Sequence, residues 1–433
     1  MNPERISGGV LTGGKEQTEL ASTEFESDCR SLDEAWQTYQ SSLERFRAWL
    51  LSQPYADQPI ARAQAQHLVQ QIQGMSWTLY GASRVQFPLI RMQTYFAPMV
   101  YSWAFPNSDF LYSHAFLDGR RNYRISGKLG TARVFNSITY HSSFWGDQEK
   151  TAFSQDYAAF DFADAEGRIE ILLGPEVSGP NTIRLDPDHH NLVLYFREAM
   201  ADWANETPMQ VAIEALDAPD RFSMVADEAE MANRILRCAR FIDYNRTFMT
   251  NHWGIAFRDD ERNVFHSWGY SPQKSRELHG NPSAQYHYIG YECGEDEALV
   301  IDMEDPRCPY WGMQMGDLWF QASEYSFHQA SLNGSQAIQA PDGHVRMVIA
   351  HRDPGVPNWL DTVAPVPGIG LLRTYGADHE VLGPKVTRTS LARLREHLAP
   401  GTPEVTPAQR RAALKERARL SLARYGHFPE GTL

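Results

Sequence analysis

Residues Glu166–Ala199 read EGRIEILLGPEVSGPNTIRLDPDHHNLVLYFREA, and residues Asp342–Gly376 read DGHVRMVIAHRDPGVPNWLDTVAPVPGIGLLRTYG. Each stretch opens on an acid and a glycine and enters an apolar, β-branched run. Each crosses a Gly/Pro-rich turn to Pro-Asn, at Pro180-Asn181 and Pro357-Asn358, and ends in a strand carrying an arginine, Arg197 or Arg373. Self-similarity at this range predicts a duplicated unit. The short strands and turn residues predict antiparallel pairing within each copy. The expected fold class is therefore α+β: two antiparallel β-sandwich domains related by internal duplication, each preceded by helices, with a helix at the C-terminus.

Working outward, residues 1–30 are polar and glycine-rich and are expected to be a disordered tail. Residues 31–105 form a helical region. Ser31 and Glu34 have capping-box spacing, and Leu32, Trp36, Tyr39, Leu43, Phe46 and Leu50 recur at threes and fours. A second helix is expected from Pro59 to about Leu79, and residues 84–100 read as partly helical. Residues 106–222 hold the first sandwich and 223–255 a helical connector, with Met231, Ile235, Leu236 and Ile242 in helical spacing. The second sandwich, 256–400, has strands predicted at ALVIDME, DLWFQASEY, HVRMVIAHR and IGLLRTYG. Residues 401–433 hold a basic helix starting at Thr406, with Pro407 at its first position and Gln409 at its third. Its basic face is expected to be solvated or packed on an acidic body.

Hydrophobic residues are 42% of the 433 and charged residues 22%, a globular composition. The net charge of −14 argues against nucleic acid or an anionic membrane surface as partner. Cys29, Cys238, Cys293 and Cys308 include no CxxC pair and are too few for a disulfide framework, so they read as reduced thiols. The N-terminal residues lack the apolar core of a signal peptide, and no run approaches a membrane span of ~18 apolar residues. Cytoplasm is the expected location. No nucleophile elbow, HExxH, phosphate loop or dinucleotide fingerprint occurs in a credible context, which predicts neither a cofactor nor a metal. Asp186, Asp188, His189 and His190 in DPDHH are the best metal candidates, but a polar turn explains them equally well.

The segment NSDFLYSHAFLDGRRNYRISGKLGT, the acid-Gly strand, and the Asn-Trp-Leu corner followed by LLRTYG resemble a bacterial family known as domain of unknown function 1214, over roughly residues 105–390. The first copy departs from the pattern, its corner reading Asn181-Thr182-Ile183. The resemblance implies a β-sandwich of jelly-roll or galectin-like kind and no established reaction.

Chemistry must then come from what the copies do not share. Counting from the common asparagine sets His351 against Gly174, Arg352 against Pro175, Trp359 against Thr182 and Asp361 against Arg184. The second copy thus carries His351, Arg352, Asp353, Asp361 and Trp359 at one corner. Histidine moves protons near neutrality, arginine holds an oxyanion, aspartate orients the histidine or acts as base, and tryptophan offers a flat wall. Tyr325 and His328 lead into the same domain as further catalytic candidates, with Asn358, His141 and Trp145 as substrate-binding candidates. Shared residues, Asn181 with Asn358 and Arg197 with Arg373, read as scaffold. The corresponding function is a cofactor-independent acid–base enzyme (lyase, isomerase or hydrolase) acting on an aromatic or alicyclic small molecule with a polar or anionic group. The rival is a non-catalytic sandwich that binds a carbohydrate or lipid-like ligand or assembles as a homo-oligomer. An enzyme requires His351 or His328 within hydrogen-bond reach of a second titratable group.

Overall fold

A computed structural model describes residues 31–82, 88–92, 101–132, 135–141, 154–189, 192–217, 227–267 and 283–425. The expected tail, Trp145 and His190 lie outside the described residues. The fold is a mixed α+β one, built mostly from antiparallel sheets.

Helix α1 (Leu32–Leu51) starts where its cap predicts, with Ser31 Oγ accepting from the Glu34 amide at 3.2 Å. It buries Ala35, Phe46 and Leu50 and leaves Trp36 exposed. Helix α2 (Pro59–Ser76) has Pro59 in its first turn, and helix α3 (Glu228–Ala256) is capped by Asp227, whose side chain accepts from the Glu230 amide at 2.8 Å. Trp49 of α1 stacks on Trp253 of α3 at 5.6 Å. Residues 91–92, within a segment expected to be partly helical, are instead a short strand.

The first half supplies β1 (Arg91–Met92), β2 (Phe110–Leu117), β3 (Tyr123–Lys128), β4 (Phe135–His141), β5 (Ser154–Ala158), β6 (Arg168–Gly174), β7 (Thr182–Arg184), β8 (Leu192–Ala199) and β9 (Gln210–Ala215). The second supplies β10 (Phe265–Ser267), β11 (Ala284–Tyr291), β12 (Glu297–Glu304), β13 (Tyr310–Asp317), β14 (Ser331–Asn333), β15 (His344–Ala350), β16 (Trp359–Asp361), β17 (Gly368–Tyr375) and β18 (Lys385–Ser390). The five-stranded sheets run β1-β2-β8-β4-β5 and β10-β11-β17-β13-β14, and the four-stranded sheets run β7-β6-β3-β9 and β16-β15-β12-β18. Every strand of the second half therefore occupies the place of the strand nine earlier in the chain.

Within each half, alternate residues of both sheets fill one apolar layer. Leu117, Ile125, Ile171 and Leu194 meet in the first, and Ile289, Ile301, Met313 and Met347 in the second. The opposite faces of the two five-stranded sheets share a third cluster with α1, α2 and α3, through Phe110, Tyr195, Tyr288 and Leu371 with Phe46, Leu68 and Phe241. No helix of the described residues is long and apolar enough to cross a membrane.

Two sequence readings need correction. DLWFQASEY is not a strand: β13 ends at Asp317, and the following residues form a loop tied by isolated bridges from Gln321 to Trp103 and Ala322 to Gly316. Asp317 organises it, its Oδ1 accepting from the amides of Trp319 and Gln321 at 2.9 and 3.0 Å. The copy-to-copy register also slips by one residue before the corner. Leu172 pairs with Thr182, but Val348 pairs with Trp359, so the second loop is one residue longer. By strand register His351 matches Pro175, and Arg352 matches Glu176; Trp359 and Asp361 keep their partners.

The C-terminal helix α4 (Pro407–Ala423) has the full expected capping box at Thr406 and Gln409. Its basic face divides. Arg410 and, just beyond the helix, Arg424 are buried, and with Arg417 they recur every seven residues along one side, which packs on the second half and, at Trp203 and Ser108, on the first. Arg410 meets Asp353, Gln329 and Val356. Arg417 donates to the carbonyls of Tyr325 and His328 at 2.6 and 2.9 Å, and Arg424 donates to that of Ser108 at 2.9 Å. Carbonyls, the Ser331 hydroxyl and one carboxylate, rather than an acidic body, receive this face.

Candidate functional site

The corner after β15 brings together part of the predicted set. β16 runs parallel to β15, with Asp361 beside Ala350. The irregular loop between β13 and β14 delivers His328, whose Nδ1 lies 2.8 Å from Asp361 Oδ2. The histidine side chain is 40% exposed and the aspartate 12%, so the pair has a wet side and a protein side. The hydrogen bond to Asp361 raises the His328 pKa against the opposing effect of partial burial. Asp361 is fixed twice more, through Oδ1 to the Val363 amide at 2.8 Å and through its own amide to the Gln329 carbonyl at 3.0 Å. Val363 has φ +65°, closed by an Ala364-to-Thr362 hydrogen bond of 2.7 Å. A β-branched residue in that region is strained, and such strain clusters at functional sites.

Further titratable groups sit behind the pair. His351 Nδ1 is 2.7 Å from Thr362 Oγ1, and its Nε2 is 2.9 Å from the Cys293 carbonyl. Burial, and after it the neighbouring Cys293, Asp317 and Asp361, raise the Tyr291 hydroxyl above its ordinary range. Burial pushes the Cys293 thiol up to about 11 and the Asp317 carboxyl up to about 7. The arrangement can shuttle a proton: Asp361 holds one imidazole nitrogen of His328, which leaves Nε2 to exchange with a solvent-side molecule.

Other candidates stand elsewhere. Arg352 is exposed and turns to Asp296 and the Glu295 carbonyl, away from Asp361. Asp353 starts the turn by accepting from the Gly355 amide at 2.9 Å and pairs with Arg410. Trp359 is buried, with its indole donating to the Ala350 carbonyl at 2.9 Å and Arg410 over its ring at 5.2 Å, so it offers no open wall. Asn358 accepts from the Ile338 amide and donates to the Ile338 and Arg346 carbonyls, which makes it a corner tie. Tyr325 is buried against Tyr425, hydroxyl to hydroxyl at 2.9 Å. Since Tyr325 and His328 lie in a loop, the alternation of a strand does not govern them. His141 is the last residue of β4, in the first half, where it pairs with Val193 and not with the corner. Among the described residues no group of three or more His, Cys, Asp or Glu is placed to hold a metal ion; His189 Nε2 and Asp186 Oδ2 are 3.7 Å apart.

Two expectations follow. Arg352→Ala leaves both stability and function nearly unchanged, because an exposed pair contributes about 0–1 kcal/mol. Asn358→Ala lowers stability by about 1–3 kcal/mol by orphaning buried amide and carbonyl groups. Urea melts of both variants check this; an early-melting Arg352→Ala would contradict the assignment. Asp317 gives a pH signature. Its folded pKa is raised, so its contribution is complete below the ordinary carboxylate range and is lost as pH rises toward about 7. Relative to wild type, Asp317→Asn therefore gains about 1–3 kcal/mol between roughly pH 4 and pH 8. Equal differences at both pH values would show that the carboxyl ionises as in water.

No family model matches this sequence, and a search of curated proteins finds no match. Among solved structures the chain is similar to an uncharacterized protein from Burkholderia cenocepacia, with 25% identity and a TM-score of 0.73 over 83% of this chain and 97% of that one. A protein from Vibrio parahaemolyticus is 12% identical with a TM-score of 0.43, over 74% of this chain and 96% of the other.

Proposed function

We propose that the chain is a cofactor-independent acid–base enzyme acting in the cytoplasm on a small molecule with a polar or anionic group, with His328 as the proton-transferring residue and Asp361 as its orienting partner. The observation that carries this reading is the 2.8 Å contact between His328 Nδ1 and Asp361 Oδ2 at a partly exposed corner. It meets the requirement that a histidine reach a second titratable group. His351, first expected in this role, has both ring nitrogens engaged and serves as a support. The reaction class stays that of elimination, isomerisation or hydrolysis. The open side of the pair is what favours the rival reading, a site that binds without turnover.

We also read the fold as two β-sandwiches of jelly-roll or galectin-like kind related by duplication, in a member of the domain of unknown function 1214 family. The nine-strand offset in sheet order supports the duplication, and the shared apolar layers support the sandwiches.

The test compares wild type with His328→Gln against a metabolite pool, with mass spectrometry as readout. Turnover by wild type that the variant lacks supports the enzyme. Turnover that survives in His328→Gln removes the histidine from the chemistry, and retention of a metabolite without conversion favours the binder.

A further inference from the structure

His328 stands in the irregular chain between β13 and β14, outside the strand ladders that fix backbone elsewhere in the sheet. Side chains of α4, and Tyr425 just beyond it, hold this turn instead. Tyr325 meets Tyr425, hydroxyl to hydroxyl at 2.9 Å, and Ser326 meets Ser421 in the same way at 2.8 Å. Arg417 reaches furthest. Its Nε donates to the carbonyls of Tyr325 and His328 at 2.6 and 2.9 Å, and its Nη2 donates to the Ser331 hydroxyl at 2.6 Å. One planar guanidinium therefore grips both ends of the turn that carries His328.

The same turn is held from β16. The Asp361 amide donates to the Gln329 carbonyl at 3.0 Å, and Asp361 Oδ2 lies 2.8 Å from His328 Nδ1. The geometry of the pair thus depends on where the turn sits between α4 and β16. Glu324 folds the turn by accepting from the amides of Ser326 and Phe327 at 2.8 and 2.7 Å, and after Asp361 it is the other acid that acts on His328. The oxygens that receive Arg417 are neutral, so its fork orients the chain rather than balancing a carboxylate. The guanidinium lies over the ring of Trp203, a residue of the first half, at 4.7 Å, which ties the turn to both halves.

We propose that Arg417 is a positioning residue for the acid–base pair: from α4 it sets the distance and angle between His328 and Asp361, so that the corner is incomplete without the C-terminal helix. The inference rests on the reading of His328 as the proton-transferring residue. Lysine at this place would keep the charge, but an ammonium cannot hold two carbonyls and a hydroxyl at fixed angles. A displacement of about 1 Å at a reacting group costs on the order of 100-fold in rate.

The experiment follows the His328 imidazole by NMR titration in the full chain, as wild type, Arg417→Lys, Asp361→Asn and the double variant, with turnover of the metabolite pool measured in parallel. Arg417→Lys is expected to move the His328 pKa down toward about 6.5 and to lower kcat by about ten- to 100-fold with KM nearly unchanged. In the Asp361→Asn background it should move the titration no further, because the pair that it positions is already gone. Arg419→Lys, whose side chain pairs with Glu416 on the exposed side of the same helix, should leave His328 as in wild type. If Arg417→Lys does not fold by circular dichroism, Ser326→Ala and Ser331→Ala, each removing one tie, carry the comparison with smaller shifts. The proposal is overturned if His328 titrates as in wild type in Arg417→Lys, or in the serine variants that replace it. It is also overturned if the shift is equally large in the Asp361→Asn background, which would mark a general loosening of the fold. A pool without turnover defeats the enzyme reading alone, since the titrations still decide the positioning role.

Discussion

Asp361→Asn lowers turnover by about 100- to 10,000-fold, the range of a positioned acid–base group, while the chain stays folded. The amide still accepts from the Val363 amide through its oxygen, as Asp361 Oδ1 does. Its NH2 then faces His328 Nδ1, where the carboxylate oxygen now stands at 2.8 Å, and favours the tautomer with the proton on Nε2. The nitrogen meant to take a proton becomes a donor. The variant also loses the interaction that raises the histidine pKa, so an NMR titration should move His328 back toward about 6.5. The sign is definite. In wild type the raised pKa means that the pair stabilises the fold at low pH, and this contribution is lost as pH rises through the folded value. A base with that pKa becomes competent only above it, so the wild-type rate rises through the His328 titration. Full turnover in Asp361→Asn, together with an unmoved His328 titration, would show that the corner is structural.

Arg410→Ala destabilises the chain by about 2–4 kcal/mol, less than a fully enclosed ion pair would because Asp353 is partly exposed. The buried guanidinium pairs with Asp353 at 3.0 Å, Gln329 Oε1 at 2.7 Å and the Val356 carbonyl at 2.5 Å, and it lies over Trp359. Gln329 in turn donates to the carbonyls of Pro357 and Trp359 and accepts from the Asp361 amide through its own carbonyl. Arg410 is thus a positioning residue one link from the His328–Asp361 pair. Its loss should reduce turnover and shift the His328 titration as well as the melting curve. A double variant with Asp353→Ala measures the ion pair alone. An Arg410→Ala chain that melts like wild type would show that α4 rests on the body without bracing it.

Much of the secondary structure was legible because its signals are local. Ser31, Pro59 and Thr406 mark helix starts through caps that act within one turn, and the repeated corners mark β6-β7 and β15-β16. The 317–330 loop was not legible. Its apolar run resembles a strand, yet Asp317 folds it back with side-chain hydrogen bonds, a competition that periodicity does not register. The His328–Asp361 pair spans 33 residues, and a tertiary contact of the 317–330 loop with β16, tied by the Asp361 amide on the Gln329 carbonyl, closes that distance. Arg352 follows His351 in sequence yet turns to Asp296 and the Glu295 carbonyl, because adjacency in sequence is not adjacency in space. The seven-residue spacing of Arg410, Arg417 and Arg424 was the available clue that one side of α4 is not solvated.

The cluster between the five-stranded sheets has a consequence for how the chain comes apart. It draws on α1, α2, α3 and both halves at once, so each half, beyond its own inner layer, has a second sheet face that the helices and the other half cover. Separating them would bare the tyrosine-rich sheet faces to water, at a cost proportional to the area uncovered. Domains joined by a polar, slippery seam melt one after the other, but these two are welded through their cores. Unfolding should therefore be a single cooperative event, and a nascent first half must wait, with its sheet face unsheltered, until the second emerges to cover it.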